Sequence, residues 1–237
     1  MRIATWNINS VNRRLDHLTG WLETAQPDVV CIQETKCKTA DFPDLVFAGL
    51  GYESVCLGTG AWNGVAIVSR VGLEDIRDNL TDQPEWEGKV EPRAIAATCG
   101  GLRIWSLYIP NGRTPEHEHY QYKLRWLQSL SETARTELAT HPDLALLGDF
   151  NVAPTDADVY DPVGWKDQIH CTVPEREHFQ KLLQLEHVQV SQRSARRGRH
   201  AREHFVDVLP ILDRLSVHGT WLPFELKPAG AHVPRPA

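Results

Sequence analysis

The chain has 237 residues, 41% hydrophobic and 24% charged, with a formal net charge of −6. A chain of that size buries a sizeable core without disulfides, and it holds no apolar run of the ~18 residues a transmembrane helix needs. Its five cysteines include no C-x-x-C pair, which argues against both a disulfide framework and a zinc knuckle. With an N-terminus that lacks an apolar signal core, these features predict a cytoplasmic protein with reduced thiols and no membrane partner.

Residues 2–8 read as a buried strand. Val11, Leu15, Leu18 and Leu22 follow at helical spacing, and Pro27-Asp28 stops that helix. The apolar run 29–32 predicts a second buried strand that delivers Gln33-Glu34 at its C-terminal end, with Cys31 as a core thiol. Residues 65–68 form a further strand, entered through Trp62-Asn63-Gly64. Residues 94–98 and 102–108 flank Gly100-Gly101 as a hairpin. Tyr120, Leu124, Leu127, Leu130, Ala134 and Leu138 mark a long amphipathic helix, with His117 and His119 expected to face solvent in its first turn. Residues 144–147 make a buried strand that runs into Gly148-Asp149-Phe150-Asn151. Thr172 and Glu175 fit a capping box around Pro174, opening a helix that buries Phe179, Leu182 and Leu183. Helices alternating with strands, some of them hairpin-connected, favour mixed sheets covered by helices over a purely parallel doubly wound sheet.

Polar groups recur at the ends of these apolar strands: Asn7, Glu34, Tyr108, Asp149 and Asn151. Such positions lie at a sheet rim, where loops build sites. Two carboxylates with amide oxygens form an all-oxygen donor set, which suits Mg²⁺ or Mn²⁺ rather than zinc. A hard cation of that kind neutralises a phosphate oxygen and favours attack by water on phosphorus. Taken singly, each acid is better explained as a loop cap or an arginine partner; the four strand ends together favour a site.

The segments Trp6-Asn7-Ile8-Asn9-Ser10, Gln33-Glu34-Thr35-Lys36, Trp62-Asn63-Gly64-Val65-Ala66, Tyr108-Ile109-Pro110-Asn111-Gly112 and 148–156 occur in that order. Together they resemble the exonuclease III family of Mg²⁺-dependent abasic-site endonucleases, within the endonuclease/exonuclease/phosphatase superfamily. The likeness covers about residues 1–186. It implies an α/β fold, a four-layered sandwich of two packed mixed sheets flanked by helices. It also implies roles: Glu34 as principal metal ligand supported by Asn7, with Asp149 and Asn151 completing the metal site. Tyr108 would lie against the scissile phosphate, Asp149 would orient or deprotonate the attacking water, and Asn151 would donate to the developing phosphorane oxygens. Trp62, Asn111 and Arg113, in rim loops, would contact the DNA backbone or simply pack their loops. The implied partner is double-stranded DNA with abasic sites or 3′ ends, cut 5′ to the lesion or trimmed from the end by a monomeric enzyme.

Composition changes near residue 187. Residues 187–237 carry 8 Lys+Arg and 4 Asp+Glu, against 17 and 27 before them, and five arginines fall within 193–202. The family's aromatic-rich strand and closing Asp–His pair are not found there. The reading is therefore a catalytic domain over 1–186 and a divergent or out-of-frame Arg/His/Pro-rich tail over 187–237, expected not to supply the sheet strands that the family's C-terminal third provides. Within that tail, residues 205–212 could make one strand, and His200 and His204 have a helical metal-pair spacing. Without the closing pair the alternatives are an impaired DNA-binding remnant, or a superfamily phosphatase acting on lipid or inositol phosphates.

Overall fold

The computed structural model describes residues 1–185, 188–192 and 204–207. Two five-stranded sheets lie at its centre. The first is built from β1 (Arg2–Asn7), β2 (Val29–Gln33), β3 (Glu53–Leu57), β4 (Val65–Ser69) and β10 (His204–Asp207), in the order β10-β1-β2-β4-β3. The second holds β5 (Glu74–Asp78), β6 (Ala94–Cys99), β7 (Leu102–Tyr108), β8 (Leu144–Asp149) and β9 (Val188–Gln192), in chain order. Both sheets are mixed. β1 and β2 run parallel, as do β7 and β8, while the hairpin β6–β7 is antiparallel.

Both central pairs are buried on two faces, which is why their sequences read as continuous apolar runs rather than alternating ones. Ile3, Val29, Cys31, Ile67, Ile95, Ile104 and Leu147 interlock between the sheets. On the outer face of the first sheet, Ala4, Trp6, Val30 and Ile32 pack with Leu18 and Leu22 of α1 (Leu15–Ala25) and Phe47 of α2 (Asp44–Gly49). On the outer face of the second, Trp105, Leu107 and Leu146 meet Trp126, Leu127 and Leu130 of α3 (Glu118–Leu138) and Phe179 and Leu182 of α4 (Val173–Leu183). Four layers result, helix–sheet–sheet–helix, as the family likeness implies. Among the described residues no helix is long and apolar enough to cross a membrane.

Two details correct the sequence reading. Tyr120, Leu127, Leu130 and Ala134 of α3 are buried as expected, but Lys123 is fully buried and Leu124 only half-buried, because Lys123 carries a polar task described below. His119 is buried rather than solvent-facing, ringed by Trp86 and Tyr122.

A third correction concerns the region past residue 186. β9 pairs in parallel with β8, and β10 pairs antiparallel with β1, so two sheet edges are covered from beyond the composition change. The candidate strand 205–212 is realised over His204–Asp207. The arginine run 193–202, His200 and residues from 208 onward lie outside the described residues.

Candidate active site

The parallel pairing of β1 with β2 and of β7 with β8 brings four strand C-termini to one end of the sandwich. That is the end at which α/β sheets place their ligands. Glu34 follows β2 at φ 55° and Asn151 follows β8 at φ 50°. A left-handed turn immediately after each strand redirects the chain at the rim, and strained non-glycine backbone of this kind concentrates at functional sites. Below them, Gln33 reaches from the first sheet to Ser106 of the second (3.2 Å), a buried polar tie between the layers.

Asn7 joins the two acids. Its Nδ2 donates to Glu34 Oε1 at 2.8 Å and to Asp149 Oδ2 at 2.9 Å. The Asn7 Oδ1 accepts the backbone N–H of Asn9, which leaves its amide nitrogen facing the carboxylates. Tyr108 Oη donates to the same Glu34 Oε1 at 2.9 Å, and Lys36 Nζ lies 2.8 Å from Glu34 Oε2. Burial pushes the Glu34 carboxyl up, but the bonds from Lys36, Asn7 and Tyr108 outweigh it and hold its pKa below the ordinary value. Burial and the neighbouring Glu34 and Asp149 charges drive the Tyr108 phenol far upward, so at neutral pH it is a proton donor.

Asn151 is placed from three sides. Its N–H donates to Asp149 Oδ1 (3.1 Å), its Nδ2 to Ile109 O (2.9 Å), and its carbonyl accepts from Lys123 Nζ (2.6 Å). Lys123 Nζ also donates to Asn111 O at 3.2 Å and forms a wholly buried ion pair with Glu175. Three hydrogens thus meet three acceptors, which is what allows an ammonium inside the protein. Burial nonetheless lowers the Lys123 pKa against the pull of Glu175. Glu175 is the residue whose carboxylate also closes the Thr172 capping box.

His170, at φ 72°, completes the rim. Its Nδ1 lies 2.6 Å from the Asn151 carbonyl, which only accepts, so Nδ1 carries the hydrogen. Nε2 is left to accept from Asn111 Nδ2 at 3.3 Å. Burial and the Lys123 charge push the His170 pKa down to about 4. The Asn111 Oδ1 accepts from Arg113 N (3.0 Å), which fixes the side-chain amide and turns Arg113 outward at φ 62°. The Arg113 guanidinium lies 5.7 Å from the Trp86 ring centroid. Trp62 is 78% exposed on the neighbouring loop.

The structure therefore brings together Asn7, Glu34, Tyr108, Asp149 and Asn151, with Asn111 beside them and Arg113 and Trp62 in the surrounding loops. Lys36, Lys123 and His170 were not singled out in the sequence. A lysine on the apolar stripe of α3 was the available signal for Lys123, and Lys36 stands inside the Gln33-Glu34-Thr35-Lys36 segment; His170 carries none.

The donor set fits a hard cation: two carboxylates held together, one of them favoured in its charged form, and no thiolate or imidazole among them. Glu34 and Asp149 are the residues that would hold it, and it would supply charge neutralisation at a phosphate oxygen. Among the described residues no group of three or more His, Cys, Asp or Glu side chains converges. The charge of such a site rests on those two acids.

A sandwich of this kind, with acids and amides at converging strand ends, defines a class, and a family model agrees. The model described as the Endonuclease/Exonuclease/phosphatase family matches residues 4–221, and the chain belongs to that family, in its exonuclease III branch. The chain is 27% identical over 161 residues to the exodeoxyribonuclease III of Haemophilus influenzae, a match covering 67% of this chain and 60% of that protein. Among solved structures, a 3′ phosphatase from Neisseria, NExo, bound to a product DNA hairpin, is similar at 40% identity and TM-score 0.74, over 77% of this chain and 70% of that one. An AP endonuclease from Archaeoglobus fulgidus is similar at 36% identity and TM-score 0.72, over the same shares. The chain thus spans less than two thirds of the length of the Haemophilus relative.

Proposed function

We propose that the chain is a Mg²⁺-dependent DNA repair nuclease that hydrolyses the phosphodiester 5′ to abasic sites and removes groups from 3′ ends. The observation that carries this reading is the convergence of Asn7, Glu34, Tyr108 and Asp149 through hydrogen bonds of 2.8–2.9 Å. The relatives named as an exodeoxyribonuclease, a 3′ phosphatase bound to DNA and an AP endonuclease support DNA as the substrate.

In this reading Asp149 orients the attacking water and takes its proton, a role typically contributing ~10²–10⁴-fold. Asn7 keeps the Asp149 and Glu34 carboxylates at a fixed separation. The protonated Tyr108 commits its one hydrogen to Glu34 Oε1 and so holds that carboxylate beside the position of the phosphate. Asn151 and Asn111 each commit one amide hydrogen to the protein and keep a second for phosphate oxygens, a preorganised electrostatic contribution. Arg113 and Trp62 contact the strand flanking the cut.

The experiment is incision of a duplex oligonucleotide carrying one abasic analogue, and of a duplex with a 3′-phosphate end, in Mg²⁺ and in EDTA. Mg²⁺-dependent cutting that is abolished in Glu34→Gln is the expected result. No cutting of either duplex at any Mg²⁺ concentration rejects the proposal, and release of phosphate from inositol phosphates instead would replace it with the lipid-phosphatase reading.

A further inference from the structure

Glu91 lies outside the strand-end constellation, in the loop before β6, yet it touches three elements of the site's frame. Its Oε1 accepts from Asn63 Nδ2 at 2.8 Å. Its Oε2 accepts from Arg93 Nε at 2.7 Å and from Tyr122 Oη at 3.0 Å. Burial pushes the Glu91 carboxyl up, but these donors, Arg93 first, bring its pKa below the ordinary value.

Two of these partners, Asn63 and Arg93, lead to different walls of the cleft. On one side Asn63 and Gly64 clasp the Glu34 loop through the backbone: Thr35 N donates to Gly64 O (3.1 Å) and Lys36 N to Asn63 O (3.0 Å). Gly64 N in turn donates to Pro92 O, next to Glu91 (3.0 Å). A Cβ on Gly64 would lie 2.1 Å from Thr35 Oγ1, and its φ is +92°, so only glycine permits this approach. On the other side the Arg93 guanidinium lies 5.0 Å from the centroid of the Tyr108 ring, with NH1 donating to Tyr108 O at 3.2 Å. Tyr108 N donates back to Arg93 O at 2.7 Å. Tyr108 Oη then meets Glu34 Oε1. The path is closed: Glu91 to Asn63, to the Thr35–Lys36 backbone, to Glu34, to Tyr108, to Arg93, and back to Glu91.

We infer that Glu91 is a positioning residue that sets the Glu34 carboxylate and the Tyr108 hydroxyl in register from behind. As a role in catalysis this rests on the nuclease reading; as a statement about geometry it does not. Neither wall is tied to the other by regular strand pairing, since Glu34 follows a strand of the first sheet and Tyr108 ends a strand of the second. A two-oxygen carboxylate holding both walls does what strand pairing cannot.

Two variants and two readouts test it. Glu91→Gln turns one acceptor into a donor facing Arg93 or Asn63. Asn63→Gly deletes only the Asn63 amide and tolerates that residue's φ of 58°. Amide exchange by NMR is expected to quicken by about tenfold or more at Thr35 and Lys36 in both variants, with the core-strand amides of Ile104 and Ala97 unchanged. On DNA, kcat is expected to fall about 10–100-fold in Glu91→Gln, with KM within about threefold. Equal quickening at all amides would reduce Glu91 to a general stabilising residue and overturn the proposal, as would unchanged exchange at Thr35 and Lys36. Localised quickening in a chain that cuts no DNA would leave the geometric inference standing and reject the nuclease reading.

Discussion

Asn7 and Asp149 lie 142 residues apart in the chain and share a 2.9 Å hydrogen bond. Because the same Asn7 nitrogen also bonds Glu34, one amide fixes the distance between the two acids of the cleft. The bond joins the sheets as well, since Asn7 ends β1 and Asp149 ends β8.

Replacing Asp149 by Asn keeps the shape but removes the proton acceptor and presents an amide to Asn7. Cleavage of the abasic duplex is expected to drop by ~10²–10⁴-fold. Asn7→Ala, which frees both acids, is expected to lower kcat by a similar factor while leaving the affinity for DNA in EDTA unchanged. Steady-state kinetics with a filter-binding control checks both.

A cation that binds the native state alone raises stability by mass action, by about 2.7 kcal/mol at a concentration of about 100 Kd. Mg²⁺ is therefore expected to raise the Tm of the wild-type chain by several degrees and to leave Glu34→Gln unmoved. Differential scanning calorimetry with and without EDTA reads this independently of any activity.

The Lys123–Glu175 pair has no solvent exposure on either side. Lys123→Met leaves the Glu175 charge unpaired, takes the Lys123 donor from the Asn111 carbonyl and leaves the Asn151 carbonyl with His170 alone, at an expected cost of about 3–5 kcal/mol. Lys123→Met/Glu175→Gln removes both charges and is expected to recover part of that loss. Urea unfolding of the two variants gives the comparison.

Acid weakens the fold in a defined window. His119 and His170 are held down to about 4 from an ordinary 6.5, chiefly by burial. Between those values the unfolded chain takes up protons that the folded chain refuses, so stability falls as pH drops, by at most ~1.4 kcal/mol per histidine per pH unit. Below the ordinary carboxyl value of 4.5, the contribution of Glu34, whose pKa is depressed, is lost as well. Urea melts at pH 7, 5.5 and 4.5 are expected to show the decline, and His119→Gln/His170→Gln is expected to flatten its upper part.

Much of this was legible in the chain. The apolar runs of β1, β2, β4, β7 and β8 are local signals, the Thr172–Glu175 capping box is a spacing rule, and the polar residues ending those strands follow from where the runs stop. The strand-end residues were therefore nameable before any fold existed. What only the tertiary structure decided is which of them touch. The Asn7 bridge needs β1 and β8 to be stacked in different sheets, and the tautomer of His170 depends on a carbonyl nineteen residues away. The burial of Lys123 depends on a carboxylate of α4, fifty-two residues on, because an ammonium enters a core only where acceptors from distant segments already surround it. The edge strand Val188–Gln192 escaped the reading for the converse reason. Strands at sheet edges are recruited by backbone hydrogen bonds to a neighbour, and those bonds leave no mark on composition or hydrophobic pattern.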